Sequence, residues 1–462
     1  MLPPTFVREI EQIVGAEFVT QDEAARVAYG QDGLKQPRPP DLVALPGTTS
    51  EVAAIAEACD AHRVPLYVRG GGTGYSGGAV PLDGGLLMSM ERFNRILEID
   101  AQNLLVVTEP NVTTGRLQAE VERVGLFYPP DPASLDESAI GGNIAECAGG
   151  PRAFKYGTTR RYVLGLEAVL PTGEVIRTGS KAVKNVVGYD LTQLLVGSEG
   201  TLAIITQAVL RLVPKPPAHA TLRATFDSID TAVEAVNELI RERVVPATLE
   251  LVDGECLAAV TRYLGGARLA PEGTAALLIL EVDGMAQAVA EEARLVEAAC
   301  RAAGATEVHR AASEAERQEI WRVRRELSPA LRTMASMKIN QDVVVPRGRV
   351  PELFQLVAEL RRESGLTIPC FGHAGDGNIH VNIMVEADDE AAVARARRAQ
   401  RRLFEGVVAR EGSISGEHGI GFTKAPFLSI ELSADVIALM RRVKRAFDPH
   451  GILNPGKIFP DG

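Results

Sequence analysis

The sequence predicts an α+β fold, and three patterns carry that expectation. Near the N-terminus DLVALP, SEVAAIAEACDAHR and VPLYVRG read as strand, helix and strand, with Ser50 as the helix N-cap, an order that favours parallel pairing. After Gly70 short apolar runs such as GGLLMSM and LLVVTEP, split by Gly and Asp, read as antiparallel strands joined by tight turns. Further on, the helical stretches SIDTAVEAVNELIRE and AQAVAEEARLVEAACRAAG alternate with the strands ATLELVD and AALLILEVDG, a βαβ-type order suited to a sheet with helices on one face. On this reading residues 1–36 form an N-terminal helical segment, ended by the Pro-rich stretch Pro37–Pro40. Residues 37–216 form an α+β domain of two small sheets. KPPAH then links to a second α+β domain over 217–400, and residues 401–462 form a helical tail ending in FDPHGILNPGKIF.

Composition narrows the function. The 462 residues are 46% hydrophobic and 24% charged, an ordinary globular balance, and are enough for two or three cores. The formal charge of -11 argues against nucleic-acid binding, which needs a basic excess to displace phosphate counterions. It also means that any anion site must be built locally. The five cysteines, Cys59, Cys147, Cys256, Cys300 and Cys370, contain no CxxC pair, so neither an iron–sulfur cluster nor a zinc ribbon is expected in this chain. The opening MLPPTFVREIEQIVG lacks a signal peptide's basic flank and apolar core, and no apolar run reaches the roughly 18 residues that would span a bilayer. The expectation is a cytoplasmic protein without a membrane span.

Residues 69–78, RGGGTGYSGG, follow directly on an apolar strand. Such dense glycine lets the backbone approach a ligand closely, and successive N–H groups there can cradle a phosphate or pyrophosphate. Gly72, Gly74 and Gly77 match G-x-G-x-x-G, but the following GGAVPLDGG cannot open the helix that a Rossmann site requires.

A second constellation lies near the C-terminus. CFGHAGDGNIHVNIMV (370–385) puts His373 in a Gly-rich turn and His380 at the start of a strand, with Asn382 on the same face as His380. SGEHGIGFTK (415–424) presents Glu417 and His418 in a glycine-bracketed loop. Two imidazoles and one carboxylate make the open three-ligand set of a catalytic divalent metal: His373, His380 and Glu417, with zinc the first choice and manganese or iron the alternatives. Neighbouring residues on an extended chain point apart, so His418 is left for proton transfer. In WRVRRELSPAL, Arg324 and Ser328 share a helix face. In MKINQDVVVP, Lys338, Asn340 and Asp342 share a strand face. Arg324, helped by Lys338, is a bidentate clamp for a substrate carboxylate. His62, His219, His309 and His450 have no such context and read as structural or surface residues.

Taken together, the glycine loop, PPDPAS (129–134), IGGNIAECAGGP (140–151), RRYVLGLEAVLPTGEVIRTG and KNVVGYDLTQLLVGSEGTLAIITQAVLRL resemble the PCMH-type (vanillyl-alcohol oxidase-like) FAD-binding domain. The C-terminal motifs resemble the substrate domain, the FAD-oxidase C-terminal domain, of D-lactate dehydrogenase, D-2-hydroxyglutarate dehydrogenase and the FAD subunit of bacterial glycolate oxidase. The resemblance spans roughly 38–459. It implies FAD lying in extended form between two subdomains, with Arg69, Gly70, Gly71, Gly72, Thr73, Gly74, Ser76 and Gly77 on its pyrophosphate. It also implies Pro132, Ser134, Gly141, Gly142, Gly200 and Ile205 as flavin contacts, with Asn454 and Lys457 near the flavin edge. The loop has no His or Cys, so the cofactor is expected to be non-covalent.

For the C-terminal half it implies the same three metal ligands, His418 as base, and Arg324, Ser328, Lys338 and Asn382 around a small 2-hydroxy acid of glycolate or D-lactate type. A D-2-hydroxyglutarate dehydrogenase, an ether-lipid synthase of the same superfamily and a non-catalytic flavin-binding subunit are the alternatives. Electrons must leave to an external acceptor, which could be an iron–sulfur or flavin partner subunit able to hold the protein at a membrane. A homodimer is a further expectation.

Overall fold

The computed structural model describes residues 2–267 and 269–459. The chain divides into two compact units, each assembled from separate stretches: 1–149, 158–215 and 417–462 in the first, and 150–157 with 216–416 in the second. The unit limits therefore run across the sequence divisions. Residues 417–462 return to the first unit, while the helix Glu390–Val408 belongs to the second.

The first unit holds two main sheets. One is four-stranded, in the order Val19–Thr20, Leu42–Ala44, Leu86–Ser89, Leu66–Arg69. Leu42–Ala44 and Leu66–Arg69 are not neighbours; each pairs in parallel with Leu86–Ser89, which lies between them. GGLLMSM is thus a parallel strand, not the antiparallel one expected, because the crossover helix Thr49–His62 leaves room for a third strand in the middle. That helix is capped by Thr48, whose hydroxyl accepts from the Glu51 amide at 3.2 Å, and not by Ser50. The N-terminal segment is not only helical: Val19–Thr20 pairs with Leu42–Ala44, and Phe6, Ile10 and Val14 of the helix Pro4–Val14 enter the same core. The other sheet is antiparallel, in the order Ile96–Asp100, Leu105–Thr108, Ile204–Arg211, Val163–Val169, Val175–Gly179.

The second unit is built on one seven-stranded sheet, ordered Glu307–Arg310, Ala218–Phe226, Ala276–Gly284, Thr248–Asp253, Cys370–His373, Asn378–Val385, Met337–Val344. Every pairing in it is antiparallel, so the helix–strand alternation does not form parallel βαβ units. Thr248–Asp253 and Asn378–Val385 are buried at every position. A sheet with helices on one face only would expose alternate residues, so here both faces are covered. The helices Gly254–Tyr263 and Glu314–Arg332 pack on the face that carries Val252, Leu277, Ile279 and Phe371. Among the described residues no helix is long and apolar enough to cross a membrane.

Candidate active site

In the first unit the strand Leu66–Arg69 delivers the chain into the glycine-rich segment, and no helix follows Gly77. Three stretches meet there. A Cβ at Gly71 would lie 2.3 Å from the Glu137 carbonyl oxygen, and one at Gly70 would lie 3.2 Å from Ala139 Cβ. Close approach of these backbones therefore depends on glycine. IGGNIAECAGG contains the short helix Ile140–Glu146. Gly141 donates its N–H to the Pro110 carbonyl at 2.7 Å, and the turn before the helix is closed by the Glu137 and Ser138 amides on the Ser134 carbonyl, at 2.9 and 2.7 Å. Leu135 N–H donates to the Pro132 carbonyl at 2.9 Å.

Gly70, Gly71, Asn111, Thr113 and Glu137 help line a cavity of about 280 Å³. At Gly74 and Gly142 a Cβ would meet nothing within 4 Å, so both face open space. Glycines that clear a cavity, backed by tightly bonded turns, fit an extended dinucleotide such as FAD. Arg69 turns its guanidinium to the protein itself, donating to the Tyr29 carbonyl at 3.1 Å and to the Gln31 carbonyl. Gly200 and Asn454 come together: Asn454 Nδ2 donates to the Gly200 carbonyl at 2.8 Å, and its Oδ1 accepts from the Val68 amide at 3.3 Å. Ile205 is half-buried on the strand Ile204–Arg211.

The glycine loop also meets the loop that carries His418. Phe422 and Thr423 donate to the Ser76 carbonyl at 3.1 and 3.3 Å, and Lys457 Nζ donates to the Gly77 carbonyl at 2.5 Å. Gly77 sits at φ +82°, where a Cβ would also strike the Phe422 ring at 2.1 Å. The His418 ring lies 5.4 Å from that of Tyr75, and the Glu417 carboxylate stands beside Gly149, where a Cβ would be only 2.6 Å away. Beneath this loop is an acidic pair that the sequence reading missed, Glu199 buried and Glu146 half-buried. Glu199 accepts the Ile420 and Gly421 amides at 2.7 and 2.6 Å, and Glu146 lies beside it. Burial pushes both carboxyls up, and for Glu146 the neighbouring Glu199 charge adds to the effect. Burial also lowers Lys457, to about 7.

In the second unit the register places the polar groups side by side. Phe371 and Asp342 both oppose His380, Glu250 opposes His373, and Asn340 opposes Asn382. His373 ends the strand Cys370–His373 rather than sitting within the turn, and His380 is the third residue of its strand rather than the first. Both are buried, with ring centroids 5.4 Å apart and planes at 86°. Asn382 is fully buried. It accepts from Asn340 Nδ2 at 2.8 Å and donates to the Pro369 carbonyl at 3.2 Å.

Asp342, also fully buried, accepts from Asn378 Nδ2 at 2.6 Å and from the Gly416 amide at 2.8 Å. Its Oδ1 stands 3.8 Å from His380 Nδ1. Arg324 reaches this face from the helix Glu314–Arg332. Its Nε donates to Glu250 Oε2 at 2.6 Å, and its guanidinium lies over the Phe371 ring at 4.8 Å. Ser328 is half-buried on the same helix, whereas Arg325 is exposed and bonded to Gln318. Burial lowers the half-buried Lys338 to about 8.

Glu250 is the residue that sequence reasoning passed over. Its signal was present: an acid between Leu249 and Leu251 at the centre of the strand segment ATLELVD. Burial alone would raise its pKa, but His373 on Oε1 and Arg324 on Oε2 hold it down at about 2. The other four histidines lie at the surface with acidic neighbours, such as His62 with Glu9 at 3.0 Å and His450 with Asp60 at 2.7 Å.

An α+β flavoprotein with a PCMH-type FAD-binding domain is the class these features define. The FAD binding domain model matches residues 40–179, and the FAD linked oxidases C-terminal domain model matches residues 215–458. The chain belongs to this family and is an FAD-linked oxidoreductase. It is 40% identical to the glycolate oxidase subunit GlcD of Bacillus subtilis over 99% of this chain and 97% of the relative. It is 38% identical to GlcD of Escherichia coli K12, over 97% and 90%. With the D-lactate dehydrogenase of Anaerostipes hadrus it shares 33% identity, over 98% and 97%. A solved structure of p-cresol methylhydroxylase with substrate bound superposes with a TM-score of 0.80 at 17% identity, covering 99% of this chain and 97% of that one. One of alkyldihydroxyacetonephosphate synthase gives 0.76 at 21%, covering 98% and 86%. At such identities these two show the shared fold alone.

Proposed function

We propose that this protein oxidises a small 2-hydroxy acid of glycolate or D-lactate type to the 2-oxo acid. The observation that carries the reading is the buried pair His373 and His380 on one sheet face, flanked by Asp342, Glu250 and Arg324. A hydrophobic core has no use for such a polar row, and the relatives named glycolate oxidase and D-lactate dehydrogenase support the substrate class. Non-covalent FAD, when bound, supplies the two-electron acceptor for the C2 hydrogen. A divalent metal, zinc in the first instance, would make the substrate hydroxyl more acidic.

His373 and His380 offer neutral imidazole nitrogens to such a metal, and Glu417 is the third ligand in this proposal through its place in the sequence motif. Arg324 binds the substrate carboxylate, with Ser328, Lys338 and Asn382 shaping the surroundings. His418 takes the hydroxyl proton. Its loop is tied by backbone bonds to the glycine-rich loop, which supports a task beside the flavin. Lys338, a cation on the strand face it shares with Asn340 and Asp342, favours a second reading in which a dicarboxylate such as D-2-hydroxyglutarate is the substrate. Electrons then pass to an external acceptor, which the subunit naming of the GlcD relatives suggests is a partner protein.

The experiment is anaerobic reduction of the purified flavoprotein by glycolate, D-lactate and D-2-hydroxyglutarate. One of them bleaches the FAD spectrum, and chelator slows that bleaching. His418→Ala keeps its FAD and loses bleaching. Normal bleaching in that variant removes His418 from the proton-transfer role, and a wild-type protein that no 2-hydroxy acid bleaches removes the substrate class and leaves the non-catalytic subunit reading.

A further inference from the structure

We infer that Glu250 is a positioning residue that sets two groups at once, fixing the His373 tautomer for metal binding and aiming Arg324 at the substrate carboxylate. The inference rests on the reading of His373 as a metal ligand and Arg324 as the carboxylate clamp. The geometry is a division of one carboxylate between two partners. Glu250 Oε1 faces His373 Nδ1, and Oε2 takes Arg324 Nε at 2.6 Å. Glu250 is fully buried, and the Arg324 side chain is only 12% exposed, so neither can exchange its partner for solvent. A carboxylate accepts only, so Nδ1 of a neutral His373 carries the proton and Nε2 keeps its lone pair for a cation. Because Nε is engaged, the guanidinium is held by one edge while its terminal nitrogens remain to take a planar anion.

A purely structural salt bridge would not place its acid opposite His373 in the strand register. The same helix provides the contrast. One helical stretch earlier, Arg317 and Trp321 donate to Glu281, which also accepts from Thr221; among the described residues no histidine is hydrogen-bonded to it, His219 acting on it only through its charge. Glu281 ties helix to sheet. Glu250 does that and also orders His373.

The test is Glu250→Gln in the full-length, FAD-loaded protein, read by zinc affinity in chelator competition, by KM and kcat for the bleaching substrate, and by melting temperature and flavin content. The amide keeps the shape but no longer offers both partners a charged acceptor. Zinc affinity should fall by about ten- to a hundred-fold, the usual effect of removing a carboxylate that backs a metal-binding histidine. KM should rise, and flavin content should stay at the wild-type level. Glu281→Gln, which disturbs the same helix, should leave zinc affinity unchanged. Wild-type zinc affinity in Glu250→Gln overturns this inference alone, whereas a wild-type protein that binds no zinc or other divalent metal overturns the metal reading and the inference with it. If the Gln variant does not fold, Glu250→Asp replaces it: one carbon shorter, it cannot serve both partners, and wild-type zinc affinity together with wild-type KM in that variant overturns the proposal.

Discussion

Each unit buries glutamate, and the two do opposite things with it. In the second unit Glu250 is held ionised, its pKa drawn down to about 2, because each oxygen faces a cationic or protonated nitrogen. In the first unit Glu146 and Glu199 are pushed up by burial, and for Glu146 the neighbouring Glu199 charge adds to the effect. The charges of Lys424 and Lys457 pull the other way without overcoming burial, and Lys457 Nζ directs protons to the carbonyls of Gly77 and Val80. Glu250 is the most deeply buried of the three and yet the one held down, so burial alone does not decide the sign. What decides it is whether a charged partner is bonded to the carboxylate: Glu250 has the Arg324 guanidinium, whereas Glu199 has only the neutral amides of Ile420 and Gly421. A carboxylate that must orient other groups has to keep its charge. One that only caps a loop through Ile420 and Gly421 amides can hold a proton.

The largest way to break this comparison is to remove a cation from the ionised glutamate. Arg324→Met leaves Glu250 buried with His373 alone. It should destabilise the second unit by about 3–5 kcal/mol, the usual cost of orphaning one member of a buried pair. Trp321, the chain's single tryptophan, sits on the same helix and donates to Glu281, so its fluorescence follows this unit during denaturant unfolding. A loss below about 1 kcal/mol would mean that Glu250 is less committed to Arg324 than the 2.6 Å bond implies.

A smaller effect separates the two units by pH. Glu250 is depressed from an ordinary value of 4.5 to about 2, so its contribution is complete above about 4.5 and is lost as pH falls toward 2. Trp321-monitored stability should drop by about 2–3 kcal/mol across that window. Glu146 and Glu199 are raised, so the first unit should weaken in the other direction, as pH rises from 4.5 through their folded values. Glu146→Gln should flatten that alkaline slope without touching the acidic one. A melting-temperature profile from pH 3 to 9, followed by Trp321 and by release of FAD fluorescence, checks both slopes. Equal slopes for wild type and variant on the alkaline side would show that Glu146 is ionised.

Much of this site was legible in the sequence, and what was not follows a rule. Glycine-dense loops and paired histidines announce themselves, because few structural roles need either in that density. Strand period placed His380 with Asn382, and Asn340 with Asp342, and the register opposed the two pairs. Glu250 was hidden because its meaning is cross-strand: it opposes His373 across 123 positions of chain, a pairing no local pattern encodes. The parallel placement of Leu86–Ser89 was hidden for the same reason, since strand order is set by which edge remains open after the crossover helix has packed. The short helix Ile140–Glu146 was obscured by its two glycines, which lower helix propensity, although one of them, Gly141, allows close packing against Pro110.

The smallest expected effect tests the cofactor cradle rather than either glutamate. At Gly71 a side chain would collide with the Glu137 carbonyl, so a substitution there damages the fold and the site together. Gly74 is different: a Cβ there would meet nothing within 4 Å in the protein. Gly74→Ala should therefore leave the melting temperature of the FAD-free protein within about 1 °C of the wild type, as a surface change does. It should still weaken FAD binding measurably in fluorescence titration, because the space it enters is the space assigned to the cofactor. Unchanged FAD affinity would show that the dinucleotide passes elsewhere along the loop, and the neighbouring open position at Gly142 would then be the one to fill.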